Sequence, residues 1–225
     1  SCASESGVIA KMSLEQRSMY GHGFSMLFLG QVYGMGVDES TQRRIKKVLT
    51  QAIQLTGKSQ SSAGGWIYEP DSNGDEGSVT ITKIQGLRSC RNAVIKVPKE
   101  IIIKACEYIA KCANSDGGIA YSLNSRGESR PAITAAAVAT LYNAGQYDNP
   151  VALKALDYIK KNLATGTSKM HSGHDFYEML YLSQAMYLSG EENWKLYFPS
   201  ALDKLVKQQD GEGSWKGDYV GDVYG

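Results

Sequence analysis

The sequence predicts an all-α fold made of repeated helical hairpins. Two turns share one spacing, Gln60-x3-Gly64-Gly65-Trp66 and Gln209-x3-Gly213-Ser214-Trp215, and stand 149 residues apart, about three periods of roughly 50 residues. A weaker copy, Asp116-Gly117-Gly118-Ile119-Ala120-Tyr121, follows the first turn by 53 residues. Self-similarity at this period is typical of repeated supersecondary units, and strand patterns are nearly absent.

Two kinds of helix alternate between these turns. One kind is apolar around much of its girth, and we expect it at residues 20–35, 79–94, 132–144 and 175–188. The other kind is amphipathic, and we expect it at residues 41–55, 98–112, 151–163 and 200–208. Four of the five prolines, Pro98, Pro131, Pro150 and Pro199, are expected to open helices. Helices with one polar face, alternating with helices that have none, predict an outer ring of helices around an inner ring.

Composition excludes several classes of protein. The 225 residues contain 24 Lys and Arg and 23 Asp and Glu, so the net charge of +1 argues against a nucleic-acid partner. The sequence contains no apolar run long enough for a transmembrane segment. The four cysteines, Cys2, Cys90, Cys106 and Cys112, lack metal-binding spacing and are expected to be small core residues.

The tryptophan turns also carry a family resemblance. Leu205-x3-Gln209-x3-Gly213-x-Trp215 resembles the QW repeat of squalene cyclases, and Asp175-Phe176-Tyr177 is similar to a segment of protein prenyltransferase β subunits. The resemblance to this prenyltransferase and squalene-cyclase repeat superfamily implies an α/α toroid of six hairpins, of which about four are present. It also implies that Trp66 and Trp215 are structural.

The expected organisation is a single toroid domain over residues 1–225. Four hairpins cannot close a ring built for six, so we expect a segment of a longer chain or an open ring that self-associates through its repeat ends.

In the superfamily, the starts of the inner helices meet at one mouth of a central cavity, and the resemblance therefore implies that functional residues lie there. His22 and His174 share a Gly-His-x-Phe pattern and lie 152 residues apart. The residues predicted to be catalytic are His22, His174 and Asp175, and those predicted to bind substrate are Tyr177, Glu178, Arg130, Thr134 and Thr80. The alternative is that each histidine satisfies the start of its own helix.

The signatures that make these relatives catalytic are not reproduced. His171, His174, Asp175 and Glu178 resemble a metal cluster, but Glu178 stands where the prenyltransferases have a histidine, and zinc is disfavoured. No cofactor is predicted. The Asp-x-Asp-Asp motif of squalene cyclases is absent, and we expect residues 71–76 to form a solvated loop.

Two functions from different classes follow from these observations. The first is binding or processing of an apolar, isoprenoid-like small molecule, with Phe24, Phe28, Phe176 and Tyr181 among the candidates for the cavity wall. The alternative is a non-catalytic toroid that serves protein–protein interaction.

Overall fold

The computed structural model describes residues 2–10, 17–36, 38–164 and 175–216, and within these ranges it is all-helical. Eight α-helices are present: α1 Ser18–Val32, α2 Glu39–Lys58, α3 Gly77–Asn92, α4 Lys99–Lys111, α5 Pro131–Asn143, α6 Pro150–Ala164, α7 Asp175–Leu188 and α8 Glu191–Gln208. The described residues contain isolated β-bridges but no strand. The predicted fold class, all-α with four helical hairpins, is confirmed. No described helix is both long enough and apolar enough to cross a membrane.

The prediction that Pro199 opens a helix is wrong. Helix α8 begins at Glu191, and Pro199 lies in its interior. Pro199 and Lys195, whose carbonyl loses its usual partner, both lie on the exposed side of the helix, where water can satisfy that carbonyl. Trp194 stacks on Phe198 one turn later, with 4.7 Å between ring centroids, and this contact supports the helix across the proline.

Helices α1 and α3 pack closely side by side because small residues line their interface. A Cβ added at Gly23 would lie 2.2 Å from Thr82 Oγ1, and one added at Gly30 would lie 2.5 Å from Ser89 Oγ. The residue numbers in these two contacts rise together, so α1 and α3 run parallel. Parallel helices bring their N-terminal ends, with their free backbone N–H groups, to the same side.

The turns of the repeat share one hydrogen-bonding pattern. In the first tryptophan turn the Ser61 N–H donates to Gly65 O at 2.9 Å, and the Gly64 N–H donates to Ser61 O at 3.0 Å. The same pair of bonds joins residues 114–118 and 210–214, and also residues 4–8, a copy that the sequence pattern did not reveal. The third residue after the first donor is a glycine with positive φ in all four turns: Gly7, Gly64, Gly117 and Gly213.

Three of these turn glycines touch the backbone of an even-numbered helix. A Cβ on Gly64 would lie 2.3 Å from Lys104 O, and a Cβ on Gly117 would lie 2.7 Å from Lys154 O. Gly7 meets Gln51 O in the same way, at 2.6 Å. Glycine is therefore required here by its backbone angle and by the space available.

The tryptophans hold each turn to the helix that precedes it. Trp66 Nε1 donates to Thr56 O, and Trp215 Nε1 donates to Leu205 O, both at 2.8 Å and both ten residues back along the chain. Gln60 Nε2 donates to Gly64 O at 2.8 Å and to Ile101 O at 2.9 Å, which ties the end of α2 to α4. The indoles thus have the structural role that the resemblance implies.

The contacts divide the chain into two compact units. The first comprises Ser1–Cys112 and Tyr121–Ser125, and the second comprises Ala113–Ala120 and Arg126–Gly225. The expectation of one toroid domain that forms part of a longer chain stays a prediction. Cys90, Cys106 and Cys112 are buried free thiols, as expected of core residues, whereas Cys2 is exposed, contrary to that expectation.

We predict that Gly64→Ala destabilises the first unit by roughly 2 kcal/mol more than Gly34→Ala does. Both glycines have positive φ, but a Cβ on Gly34 meets nothing within 4 Å, whereas one on Gly64 overlaps the Lys104 carbonyl. Urea unfolding of the two variants and the wild type measures the difference. Equal losses would show that backbone strain alone, and not contact with α4, requires glycine at this turn.

Candidate functional site

Three of the predicted site residues perform one equivalent structural task. Two residues after each turn glycine, a buried backbone N–H donates to a side chain near the start of an odd-numbered helix. Ile9 N donates to His22 Nδ1 at 3.0 Å, Trp66 N to Thr80 Oγ1 at 3.0 Å, and Ile119 N to Thr134 Oγ1 at 2.9 Å. His22, Thr80 and Thr134 are thus equivalent positions of the repeat.

Both ring nitrogens of His22 are engaged inside the core. Because Nδ1 accepts from Ile9, Nε2 carries the proton and donates to Thr56 Oγ1 at 3.2 Å. Burial, with a further effect of the nearby Lys83, lowers the pKa of His22 to about 2, so the imidazole is neutral. These contacts correspond to the structural alternative for His22, and its catalytic role stays a prediction.

The remaining predicted residues belong to the second unit. Asp175 accepts from Lys204 Nζ at 3.0 Å and lines a shallow surface pocket with Phe176. Tyr177 packs edge-on against the buried ring of Tyr181 at 4.8 Å between centroids. These arrangements do not test a role in catalysis or substrate binding.

Glu178 and Arg130 also lie near helix starts in the second unit. Glu178 is buried in the first turn of α7. Arg130 precedes α5, where its carbonyl accepts from the Thr134 side chain at 2.7 Å. His171 and His174 lie outside the described residues, so the proposed His22 and His174 pair and the zinc cluster stay predictions. Within the described residues, no three His, Cys, Asp or Glu side chains are grouped to hold a metal ion.

A polar cluster that the sequence did not single out lies at the N-terminal ends of α1 and α3. Tyr68 O accepts from Met19 N of α1 at 3.0 Å, and Tyr121 O accepts from Gly77 N of α3 at 2.7 Å. The hydroxyls of Tyr68 and Tyr121 are hydrogen-bonded to each other. The two tyrosines are 53 residues apart and occupy the same place after their turns, so the repeat spacing was the signal that relates them.

Glu76 stands beside this tyrosine pair and corrects the expectation of a solvated loop at residues 71–76. Its carboxyl group caps α3, accepting from the backbone N–H groups of Ser78 and Val79, and the residue is only 4% exposed. The Tyr121 hydroxyl is also hydrogen-bonded to it. Burial raises the pKa of Glu76 above its ordinary value, although its hydrogen bonds oppose that shift.

Helix α1 also carries an aromatic face beside this cluster, made of Tyr20, Phe24 and Phe28. The three residues are spaced by four along the helix and therefore follow one side of it. The Tyr20 and Phe24 rings meet edge-to-face at 5.3 Å, and Phe28 is 61% exposed. Arg17 lies three helical turns before Phe28 on the same side, and its guanidinium lies over the Tyr68 ring, 4.8 Å from the centroid.

Lys83 of α3 is a fully buried amine. Its Nζ donates to Met19 Sδ at 3.6 Å, and a thioether is a weak acceptor that leaves a positive charge uncompensated. Burial lowers the pKa of Lys83 well below its ordinary value, so the amine is neutral near pH 7. A neutral amine is compatible with the apolar contact between α1 and α3, whereas an ammonium is not.

Comparisons with known proteins identify no family for this chain. No family model matches it, and no curated protein matches it. Among solved structures, the chain is similar to the apo form of the type II terpene cyclase MstE from Scytonema, with 15% identity and a TM-score of 0.40 over 86% of this chain and 70% of the cyclase. Two variants of that enzyme bound to geranylgeranyl dihydroxybenzoate cover the same shares, with 15% and 14% identity and TM-scores of 0.39.

We predict that Lys83→Met removes a pH-dependent part of the stability. The folded protein binds fewer protons at this amine than the unfolded chain does, so wild-type stability should rise as the pH approaches the ordinary lysine pKa of 10.5. The slope should reach about 1.4 kcal/mol per pH unit. The methionine variant should be more stable at pH 7 and should lack this slope.

The measurement is the free energy of unfolding at pH 7 and pH 9.5, with Lys111→Met, at an exposed lysine of α4, as the control. The control should follow the wild type. A Lys83→Met variant with the wild-type pH slope would contradict the neutral buried amine.

Proposed function

We propose that the chain binds an apolar, isoprenoid-like small molecule along the aromatic face of α1, with the oxygen-bearing head of the ligand at the Arg17 end. The observation that supports this proposal is the continuity of the two surfaces on one helix. The exposed guanidinium of Arg17 stands at the start of the same side that Phe24 and Phe28 continue.

The aromatic face suits an extended hydrocarbon chain. One side of α1 is fixed against α3 through Gly23 and Gly30, so the other side presents its rings from a rigid support. Three residues with a spacing of four span about 12 Å, the length of two to three isoprene units. Covering such rings contributes about 25 cal/mol for each Å² of apolar surface removed from water.

The polar end suits a head that accepts hydrogen bonds. Arg17 supplies a guanidinium, and the first backbone N–H groups of α1 add partial positive charge at the same end. The Tyr68 hydroxyl lies beneath this guanidinium and can donate to or accept from an oxygen atom. The ligand class is therefore an apolar chain with a diphosphate, carboxylate or carbonyl head.

We predict that farnesyl diphosphate and farnesol bind with micromolar affinity and that Phe28→Ser weakens both by about tenfold, the equivalent of roughly 1.4 kcal/mol of lost apolar contact. Arg17→Gln should weaken binding of the diphosphate more than binding of the alcohol, because only the diphosphate is an anion. Isothermal titration calorimetry measures each affinity.

Val206→Ser is the matched control, since Val206 is 64% exposed and lies on an even-numbered helix, away from α1 in sequence. It should bind as the wild type does. No binding of either ligand to the wild type at hundreds of micromolar, or equal losses in Phe28→Ser and Val206→Ser, would contradict the proposed site.

The alternative function, protein–protein interaction, is supported by exposed apolar residues on α8. Phe198, Leu202 and Val206 are partly to largely exposed and, with a spacing of four, follow one side of the helix. If a second copy of the chain covers this side, light scattering should give a dimer mass at high concentration that Val206→Glu converts to a monomer mass. A monomer mass for the wild type at all concentrations would contradict self-association.

A further inference from the structure

We propose that Glu76, Tyr121 and Tyr68 form a proton relay between a buried carboxyl group and the head of the bound ligand. The inference deepens the proposed function, on which it rests, by assigning proton transfer to the site. It depends on three groups that are joined in series by hydrogen bonds, Glu76 to Tyr121 and Tyr121 to Tyr68. None of the three is among the residues singled out for catalysis from the sequence.

The inner end of the relay is closed to solvent. The Glu76 carboxyl accepts from Ser78 N at 2.9 Å, from Ser78 Oγ at 2.8 and 2.9 Å, and from Val79 N. All these partners belong to the first turn of α3. They are donors that do not release protons near neutral pH. The hydroxyl of Tyr121 is thus the neighbour through which the Glu76 proton can move.

The outer end of the relay reaches the aromatic face. Tyr68 is half-buried, its ring lies under the exposed guanidinium of Arg17, and its carbonyl holds the N–H of Met19 at the start of α1. A ligand head at Arg17 therefore lies next to the residue whose hydroxyl ends the relay. Arg17 can hold a ligand oxygen by hydrogen bonding without competing for its proton, because a guanidinium stays charged.

The proton transfer is balanced at each group. The Glu76 proton moves to the Tyr121 oxygen, the Tyr121 proton moves to the Tyr68 oxygen, and the Tyr68 proton moves to a carbonyl oxygen of the ligand. One O–H bond breaks and one forms at each tyrosine, so the tyrosines are unchanged and the products are a carboxylate and a protonated carbonyl. The reverse sequence returns the proton, and no oxidant or reductant is needed.

The surroundings favour this direction of transfer only when a ligand is present. Burial keeps the pKa of Glu76 raised, and burial also raises the pKa of Tyr121, so neither group ionises readily in the empty site. Three other charged or titratable groups lie at this end of the two helices: Arg17 over Tyr68, Lys83 on α3, and Asp75, which accepts from Ser61 Oγ at 2.9 Å. Together they place Glu76 in a polar but enclosed setting that suits a general acid.

The test uses infrared spectroscopy to follow the C=O stretch of the protonated Glu76 carboxyl, identified by its loss in Glu76→Gln. Farnesal, an isoprenoid with a carbonyl head, is the probe, and calorimetry measures its binding separately. Binding of farnesal to the wild type should shift this band, and Tyr68→Phe should abolish the ligand-induced shift, because the phenyl ring retains the packing but cannot pass a proton. Tyr147→Phe, at a half-exposed tyrosine of the second unit, should retain the shift.

The outcomes separate this inference from the proposed function. If farnesal binds but the Glu76 band does not respond, the relay is wrong and the binding site stands. If farnesal does not bind, the proposed function fails, and the relay is judged on the ligand-free protein. There, Tyr68→Phe should move the Glu76 band by altering the hydroxyl chain one group away, and an unchanged band would overturn the relay. A merely structural Glu76, capping α3, would show no response to Tyr68→Phe.

Discussion

A backbone N–H buried at each turn of the repeat requires an acceptor, and the start of an odd-numbered helix supplies it. His22, Thr80 and Thr134 provide this acceptor for three successive turns. An unpaired N–H in the core would be strongly unfavourable, so this hydrogen bond fixes the distance between each turn and the helix that follows it. The glycine two residues earlier fixes the same turn against an even-numbered helix. Each hairpin is thus positioned from both sides by one short segment of chain.

This arrangement decides which polar groups are available for function. The side chains nearest the turns are committed to the backbone, and His22 is neutral and enclosed as a result. The groups that remain are those that close the N-terminal ends of α1 and α3 from above, namely Tyr68, Tyr121 and Glu76. The candidate site therefore lies at the end of the helices that the superfamily resemblance implies, but it consists of other residues.

The periodic features of the fold were predictable from the sequence, because apolar patterning and repeated glycines report packing directly. All eight helices were predicted, and the main error, the start of α8, arose because Pro199 was taken as a helix start although its position faces solvent. Glu76 was missed for a different reason. Its neighbours in sequence are those of a solvated loop, and its burial depends on Tyr121, 45 residues later, which no local pattern relates to it. The candidate site is thus less visible in sequence than the fold, since it consists of long-range contacts.

The turn glycines have a consequence for how such a chain can change in length. Gly64 follows its helix carbonyl residue Gln51 by the same thirteen residues that separate Gly117 from Lys104. By contrast, the separation between the turn N–H and its acceptor grows from 13 to 14 to 15 residues in successive copies. The end of each even-numbered helix and its turn therefore form a module of constant length, whereas the following loop accepts insertions. Glu76 lies in one of these variable loops, so new chemistry can arise there without disturbing the repeat.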